Sequence, residues 1–235
     1  MQDSFIDIGA NLTDQSFDQD RDKIIEDSFQ NGIEQIIVTS SSVNESLKSI
    51  ELARSYKGKI WATAGIHPHN ASNASENFKD DLMAILNHDE VVAIGECGLD
   101  YFRNFSSKEE QRKIFKGHLE LAHKVDLPLF LHQRDAHDDF HAMIKDYGPK
   151  ELKGVAHCFT GNREQMESYL DLGLYIGVTG WLCDSRRNSE LLGAINYIPK
   201  DRLLIETDSP YLMPKSLSKS LNTRRNEPQF LGYIA

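Results

Sequence analysis

Eight short runs rich in Val, Ile, Leu and Phe recur along this chain, separated by amphipathic stretches of helical length, and this alternation restricts the fold more than any other feature. The runs are FIDIGANL (5 to 12), IEQIIVTS (33 to 40), KIWATAGIHP (59 to 68), VVAIGECGLD (91 to 100), LPLFLHQRD (127 to 135), KGVAHCFTG (153 to 161), LYIGVTGWL (174 to 182) and RLLIETDSPY (202 to 211). Near-continuous apolar strands alternating with helices imply a parallel sheet whose outer face is covered. Helix patterns occupy 42 to 56, 107 to 125 and 163 to 173, and Ser107 with Glu110 three positions on has capping-box spacing. A doubly wound open sheet is the rival arrangement. Eight repeats with ligand-type residues ending nonadjacent runs favour closure into a TIM (β/α)8 barrel, which typically needs about 250 residues. A chain of 235 residues with 40% hydrophobic content suits one such domain over 1 to 235.

The end of the chain breaks the pattern. Residues 213 to 228 read as a polar loop, which leaves about eight residues around QFLGYIA for the closing helix. A shortened last helix predicts partly uncovered outer faces on the first and last strands, an apolar patch or a neighbour there, and lower stability than a complete barrel. The N-terminus MQDSFIDIGA has no basic leader, and no window approaches the roughly 20 apolar residues of a membrane helix, so a soluble, cytoplasmic protein is expected. Cys97, Cys158 and Cys183 follow no CxxC spacing and read as small buried residues. The formal net charge of −10 argues against coating nucleic acid by bulk electrostatics, although net charge says little about one rim.

Four of the apolar runs end on metal-capable side chains: Glu96, His132, His157 and Asp208. In a barrel, residues at the C-terminal ends of strands face the active site. A single strand-end histidine is usually a hydrogen-bonded structural group, but four such residues from different strands point to a shared metal-assisted hydrolytic site. His67 and His69, in GIHPH, reach the same rim, and the intervening proline predicts that only His67 turns inward. His88, His118, His123 and His141 read as solvated, and His137 is undecided. Seven of the eleven arginines follow strand ends: Arg103, Arg134, Arg163, Arg186, Arg187, Arg224 and Arg225. Guanidinium forks match phosphate oxygens, so a cationic rim favours a phosphodiester substrate, with Tyr101, Phe102 and Trp181 available to stack on unpaired bases. The bland alternative pairs about half of these arginines with Asp100, Asp135, Asp184 and Glu227, Arg225 with Glu227 in particular.

The motifs GIHPH, IGECGLDYFRNFS, LHQRDAH, HCFTGNREQM, GVTGW, ETDSPYL and RRNEP resemble, in order and spacing, the TatD family of metal-dependent deoxyribonucleases in the amidohydrolase superfamily. The resemblance implies a TIM barrel, one or two divalent ions, and 3'-5' exonuclease action on single-stranded DNA, sometimes RNA. It also implies that Glu96, His132, His157 and Asp208 are metal ligands, with Asp208 a candidate general base. His67, Arg103, Arg134, Arg225 and Trp181 are the expected substrate contacts, His67 also stabilising developing charge. One departure stands out: most relatives carry an HxH on the first strand, where this chain has Gly9 and Asn11. Losing two imidazoles favours Mg²⁺, with Mn²⁺ or Zn²⁺ as alternatives, and Asn11 is left as a possible oxygen donor. A monomer without membrane contact is expected. Small-ester or aminoacyl hydrolysis on the same barrel, or a barrel that binds nucleic acid without catalysis, are the competing functions.

Overall fold

The computed structural model describes residues 4–148 and 153–235, so the reading of Met1, Gln2 and Asp3 lies outside the described residues. Strands and helices alternate as β1 (Phe5–Ala10), α1 (Arg21–Gln30), β2 (Ile33–Val38), α2 (Val43–Ser55), β3 (Ile60–Ala64), α3 (Phe78–Ile85), β4 (Val91–Asp100) and α4 (Lys108–Ala122). The second half continues with β5 (Leu129–Arg134), α5 (His137–Asp146), β6 (Gly154–Ala156), α6 (Arg163–Asp171), β7 (Tyr175–Val178), α7 (Ser189–Ala194), β8 (Leu203–Ile205) and α8 (Lys215–Leu221). All eight strands pair in sequence order, each parallel to the next. The seam between β8 and β1 is joined by a bridge from Ala10 to Ser209 and by Asp208 N–H donating to Gly9 O at 2.8 Å. The buried Asp7 carboxylate reinforces it, accepting from Thr207 N–H at 3.0 Å and from the Thr207 hydroxyl. This is the TIM barrel that the alternation of apolar runs predicts.

Two apolar layers hold the barrel. Ile8, Ala93, Phe130 and Val155, joined by Ile37 and Leu204, form a small cluster of their own. A far larger shell, including Ile25, Ile36, Leu82, Phe115 and Phe140, lies between sheet and helices. The helices start where their side chains stop them: Ser107 Oγ accepts Glu110 N–H at 3.2 Å while Glu110 Oε2 accepts Ser107 N–H at 2.8 Å, so the capping box is formed in both directions.

Several boundaries differ from the sequence expectation. The sixth and eighth strands are three residues each, because the chain turns out of the sheet at Cys158 (φ 45°) and Asp208 (φ 53°). Both residues are in the left-handed region that ends regular strand geometry, so His157 and Asp208 stand on the rim rather than within strands. The segment read as a polar loop contains the seven-residue α8, and the expected closing helix is only a 3₁₀ turn, Pro228–Tyr233, packed on α1, β1 and β2. Leu203 and Ile205 of β8, packed against the large apolar shell, remain half-buried. Cys97 is buried as expected, whereas Cys158 and Cys183 are partly exposed, and all three are free. His118, expected in solvent, is fully buried on α4. Its Nδ1–H donates to Ile114 O at 2.8 Å and its Nε2 accepts Ile66 N–H at 3.0 Å, which pins the backbone beside His67. Among the described residues, no helix is long and apolar enough to cross a membrane.

Candidate active site

A cavity of about 960 Å³ opens at the C-terminal end of the barrel, and Glu96, His132, His157 and Asp208 all line it. Glu96 and His132 come from within β4 and β5, and His157 and Asp208 from just past β6 and β8. The Glu96 side chain is the hub: its Oε1 lies 2.8 Å from His157 Nε2, 2.9 Å from His132 Nδ1 and 3.2 Å from His67 Nε2. Burial alone would raise the Glu96 pKa, but the charge of His157 and His67 and the hydrogen bond from His132 outweigh it and hold the carboxyl well below the ordinary range. His157 is held well above its ordinary value, because Glu96 and Glu206 outweigh the opposing effect of burial.

Three imidazoles converging on one buried carboxylate oxygen form a donor set that suits a divalent cation. Ligand atoms of His67, Glu96 and His132 lie within 4.8 Å of one another, close enough to hold an ion, and His157 Nε2 is 3.3 Å from His132 Nδ1. His132 Nε2 is buried with no hydrogen-bond partner, only 3.4 Å from Asp100 Oδ2 without the alignment of a bond. An orphaned nitrogen of this kind is uncommon in a packed interior and fits a site built for a further partner.

Asp208 reaches the same cavity with a different environment. Burial, with Glu96 and Glu206 nearby, pushes its pKa up to about 7 against the opposing influence of His157 and Asn11. Asn11 Nδ2 donates to Asp208 Oδ1 at 3.0 Å, and the Asn11 carbonyl oxygen accepts the Thr39 hydroxyl at 2.8 Å. The residue in the second missing-histidine position therefore orients Asp208 with its amide, and its oxygen is occupied by Thr39 rather than offered to a metal.

Glu206 is the residue that the sequence reading missed. It is fully buried, its Oε1 accepts Cys158 N–H at 2.6 Å and its Oε2 lies 3.3 Å from His157 Nδ1. A carboxylate behind a ligand histidine fixes the ring's orientation and raises its basicity. A Cβ on Gly9 would stand 2.3 Å from Glu206 Oε2, so this carboxylate fills the space that a first-strand side chain would need. The available signal was spacing: Glu206 lies two residues before Asp208, a separation that places both on one face of an extended segment.

The histidine pair departs from expectation as well. Both His67 and His69 line the cavity: His69 Nε2 contacts Asp100 Oδ2 at 2.7 Å, and His67 Nδ1 accepts His69 N–H at 3.1 Å. Burial pushes the His67 pKa down to about 4. Asp100, read as an arginine partner, instead serves histidines and backbone, and its hydrogen bonds hold it far below the usual carboxylate range against the opposing effect of burial.

Of the rim arginines, Arg103, Arg134 and Arg187 line the cavity together with Trp181. Arg225 does not. Its guanidinium is held by Asp20 at 2.6 and 2.9 Å, Glu227 at 3.0 Å and Ser16 O at 2.8 Å, a cluster that ties the C-terminal loop to the start of α1. Arg186 is chelated by Asp184, and Arg163 pairs with Glu167 along α6. His137, the first residue of α5, contacts the Tyr169 hydroxyl at 3.0 Å and does not line this cavity.

A family model described as TatD related DNase matches residues 6–235. The chain is 45% identical over 228 residues to a curated Salmonella typhimurium protein named 3'-5' ssDNA/RNA exonuclease TatD, a match covering 97% of this chain and 87% of that one. Among solved structures, a hydrolase TatD family protein from Entamoeba histolytica superposes with a TM-score of 0.88 at 36% identity, covering 100% of this chain and 90% of the other. YJJV, a TatD homologue from Escherichia coli K12, superposes with a TM-score of 0.90 at 29% identity, covering 100% and 88%.

Proposed function

Since the chain belongs to the TatD-related DNase family, we propose that it is a divalent-metal-dependent 3'-5' exonuclease of single-stranded DNA and RNA, acting as a cytoplasmic monomer in DNA turnover or repair. The observation that carries this reading is the convergence of His67, His132 and His157 on Glu96 Oε1 inside a cavity lined by Arg103, Arg134 and Arg187. Glu96, His132 and His157 would hold one ion, with Asp208 as a further carboxylate. Mg²⁺ is our assignment, because the two first-strand positions offer no imidazole and the Glu206 carboxylate fills the space at Gly9. A divalent ion bound there supplies positive charge to a phosphoryl oxygen and acidity to a water molecule.

The chain's own groups do the remaining work. His67 Nδ1 is occupied as an acceptor, so its proton sits on Nε2, which faces Glu96 Oε1 at 3.2 Å; with that oxygen given to an ion, the neutral imidazole would be free to donate to a phosphoryl oxygen as charge develops. Asp208, oriented by Asn11, takes the proton of the attacking water. Arg103 and Arg134 offset phosphate charge and Trp181 offers a ring to a base. Arg225 is left to the support of the fold.

The test is digestion of 3'-labelled and 5'-labelled single-stranded oligonucleotides with EDTA, Mg²⁺, Mn²⁺ or Zn²⁺. The native chain is expected to shorten strands stepwise from the 3' end only with metal, His132→Ala to be inactive, and Asp208→Asn to lose turnover far more than DNA binding. No cleavage with any metal would overturn the reading.

A further inference from the structure

The rim of the cavity is chemically lopsided. At the C-terminal end of β5 and on the loops after β4 and β7, aromatic rings and guanidinium groups alternate in a ladder. The Arg134 guanidinium lies 3.9 Å from the Phe102 ring and 5.9 Å from the Trp181 ring, and the Arg187 guanidinium lies 3.8 Å from Trp181. Phe102 is 53% exposed, a large apolar surface to leave in water, and it sits against Arg134, which lines the cavity. Arg103 and Arg134 have no carboxylate partner among the described residues, so their charge is available to a ligand. The opposite side of the cavity carries Asp14 on the loop after β1 and Glu45 in the first turn of α2, with the Tyr211 hydroxyl donating to Asp14 Oδ2 at 3.3 Å.

The ladder is held in register with the reaction centre by one side chain. Asp100 Oδ1 accepts the N–H groups of Phe102 at 2.9 Å and Arg103 at 2.8 Å, while Asp100 Oδ2 faces His69 and His132. The loop that carries Phe102 and the imidazole that faces Glu96 therefore share a buried anchor, only 1% exposed.

Resting on the nuclease reading above, we propose that a single strand crosses this rim in one sense, its body laid on the ladder with unpaired bases stacked on Phe102 and Trp181, and its reacting 3' end directed towards Asp14 and Glu45. Base–aromatic stacking tolerates any base but needs a free π-face, which a strand has only when it is unpaired. Arginines between the rings meet the phosphates that link successive bases. A chain continuing past the reacting link would bring its next phosphate against two carboxylates, so the negative side favours a strand that ends there.

The experiment compares digestion of 3'-terminal oligonucleotides carrying one abasic residue, placed at the terminal nucleotide or at the second, third or fourth from the 3' end, by the native protein, Phe102→Ala and Phe102→Tyr. In the native protein, an abasic residue at one internal position should lower kcat/KM by about fivefold or more, the size expected from losing one base–aromatic stack, with little effect at the terminal nucleotide. Phe102→Ala should lower kcat/KM on the intact strand by a similar factor and lose the sensitivity to that abasic position, whereas Phe102→Tyr should keep both. Native digestion indifferent to internal abasic residues, or sensitive only at the terminal one, would overturn the proposal while leaving the exonuclease reading in place. Absence of digestion of any strand would overturn both.

Discussion

Replacing Gly9 by alanine places a Cβ 2.3 Å from Glu206 Oε2 and 3.0 Å from Phe130 Cζ. A flexible surface carboxylate would swing away at little cost, but Glu206 is fully buried, tied to Cys158 N–H at 2.6 Å and placed 3.3 Å from His157 Nδ1. Displacing it weakens hydrogen bonds to a charged group, worth about 1.5–3 kcal/mol, and overpacks the barrel interior at a further ~1–3 kcal/mol. A loss of about 3 kcal/mol in a domain of this size lowers Tm by about 10 °C. Activity should fall about tenfold or more, because His157 loses the carboxylate that fixes its ring. Thermal unfolding and oligonucleotide digestion would be measured for Gly9→Ala, Glu206→Ala and the double variant. With the carboxylate gone, only the Phe130 contact still crowds the added methyl, so Gly9→Ala should cost clearly less in the Glu206→Ala background than in the native chain. An equal cost in both backgrounds, or no cost in either, would refute the steric account of why the first strand carries glycine here.

Two further outcomes follow from the packing. His118 is pushed down to about 4 by burial, against an ordinary value of 6.5, so the unfolded chain takes up a proton that the folded one excludes as pH falls below 6.5. Its contribution to stability is fully present above pH 6.5 and is lost progressively towards pH 4, up to about 3 kcal/mol. Urea midpoints measured from pH 4 to 7 with EDTA should fall less steeply in His118→Gln than in the native chain, and parallel curves would remove His118 from the acid response. Arg225→Ala should destabilise the fold by about 2 kcal/mol, by loss of its bonds to Asp20 and Glu227, with digestion largely retained. Arg134→Ala should do the reverse, lowering kcat/KM while leaving Tm nearly unchanged, and matching effects of the two substitutions on both readouts would refute the division of roles.

The barrel and most of its rim were legible in the sequence because both depend on local pattern. Alternation of apolar and amphipathic segments is set by neighbours a few residues apart, and the placement of Glu96, His132, His157 and Asp208 in or just past the C-terminal half of their strands follows from counting along each run. What the sequence did not disclose depends on chain segments far apart. Asp7 meets Thr207 across 200 residues to reinforce the seam, and Arg225 meets Asp20 across 205, which withdraws from the rim an arginine that local position alone assigns to it. His118 has the spacing of a helix residue and no local mark of burial, yet α4 turns it onto the backbone at Ile66. The exchange between Glu206 and Gly9 is of the same kind. A glycine in a strand is ambiguous until the opposing side chain is known, and here that side chain is a carboxylate just past the last strand of a closed barrel. Sequence alone determined the fold and the end of the barrel to which those residues belong. Tertiary structure decided which of those residues touch, because contact across a closed sheet is a property of the closure and not of any segment within it.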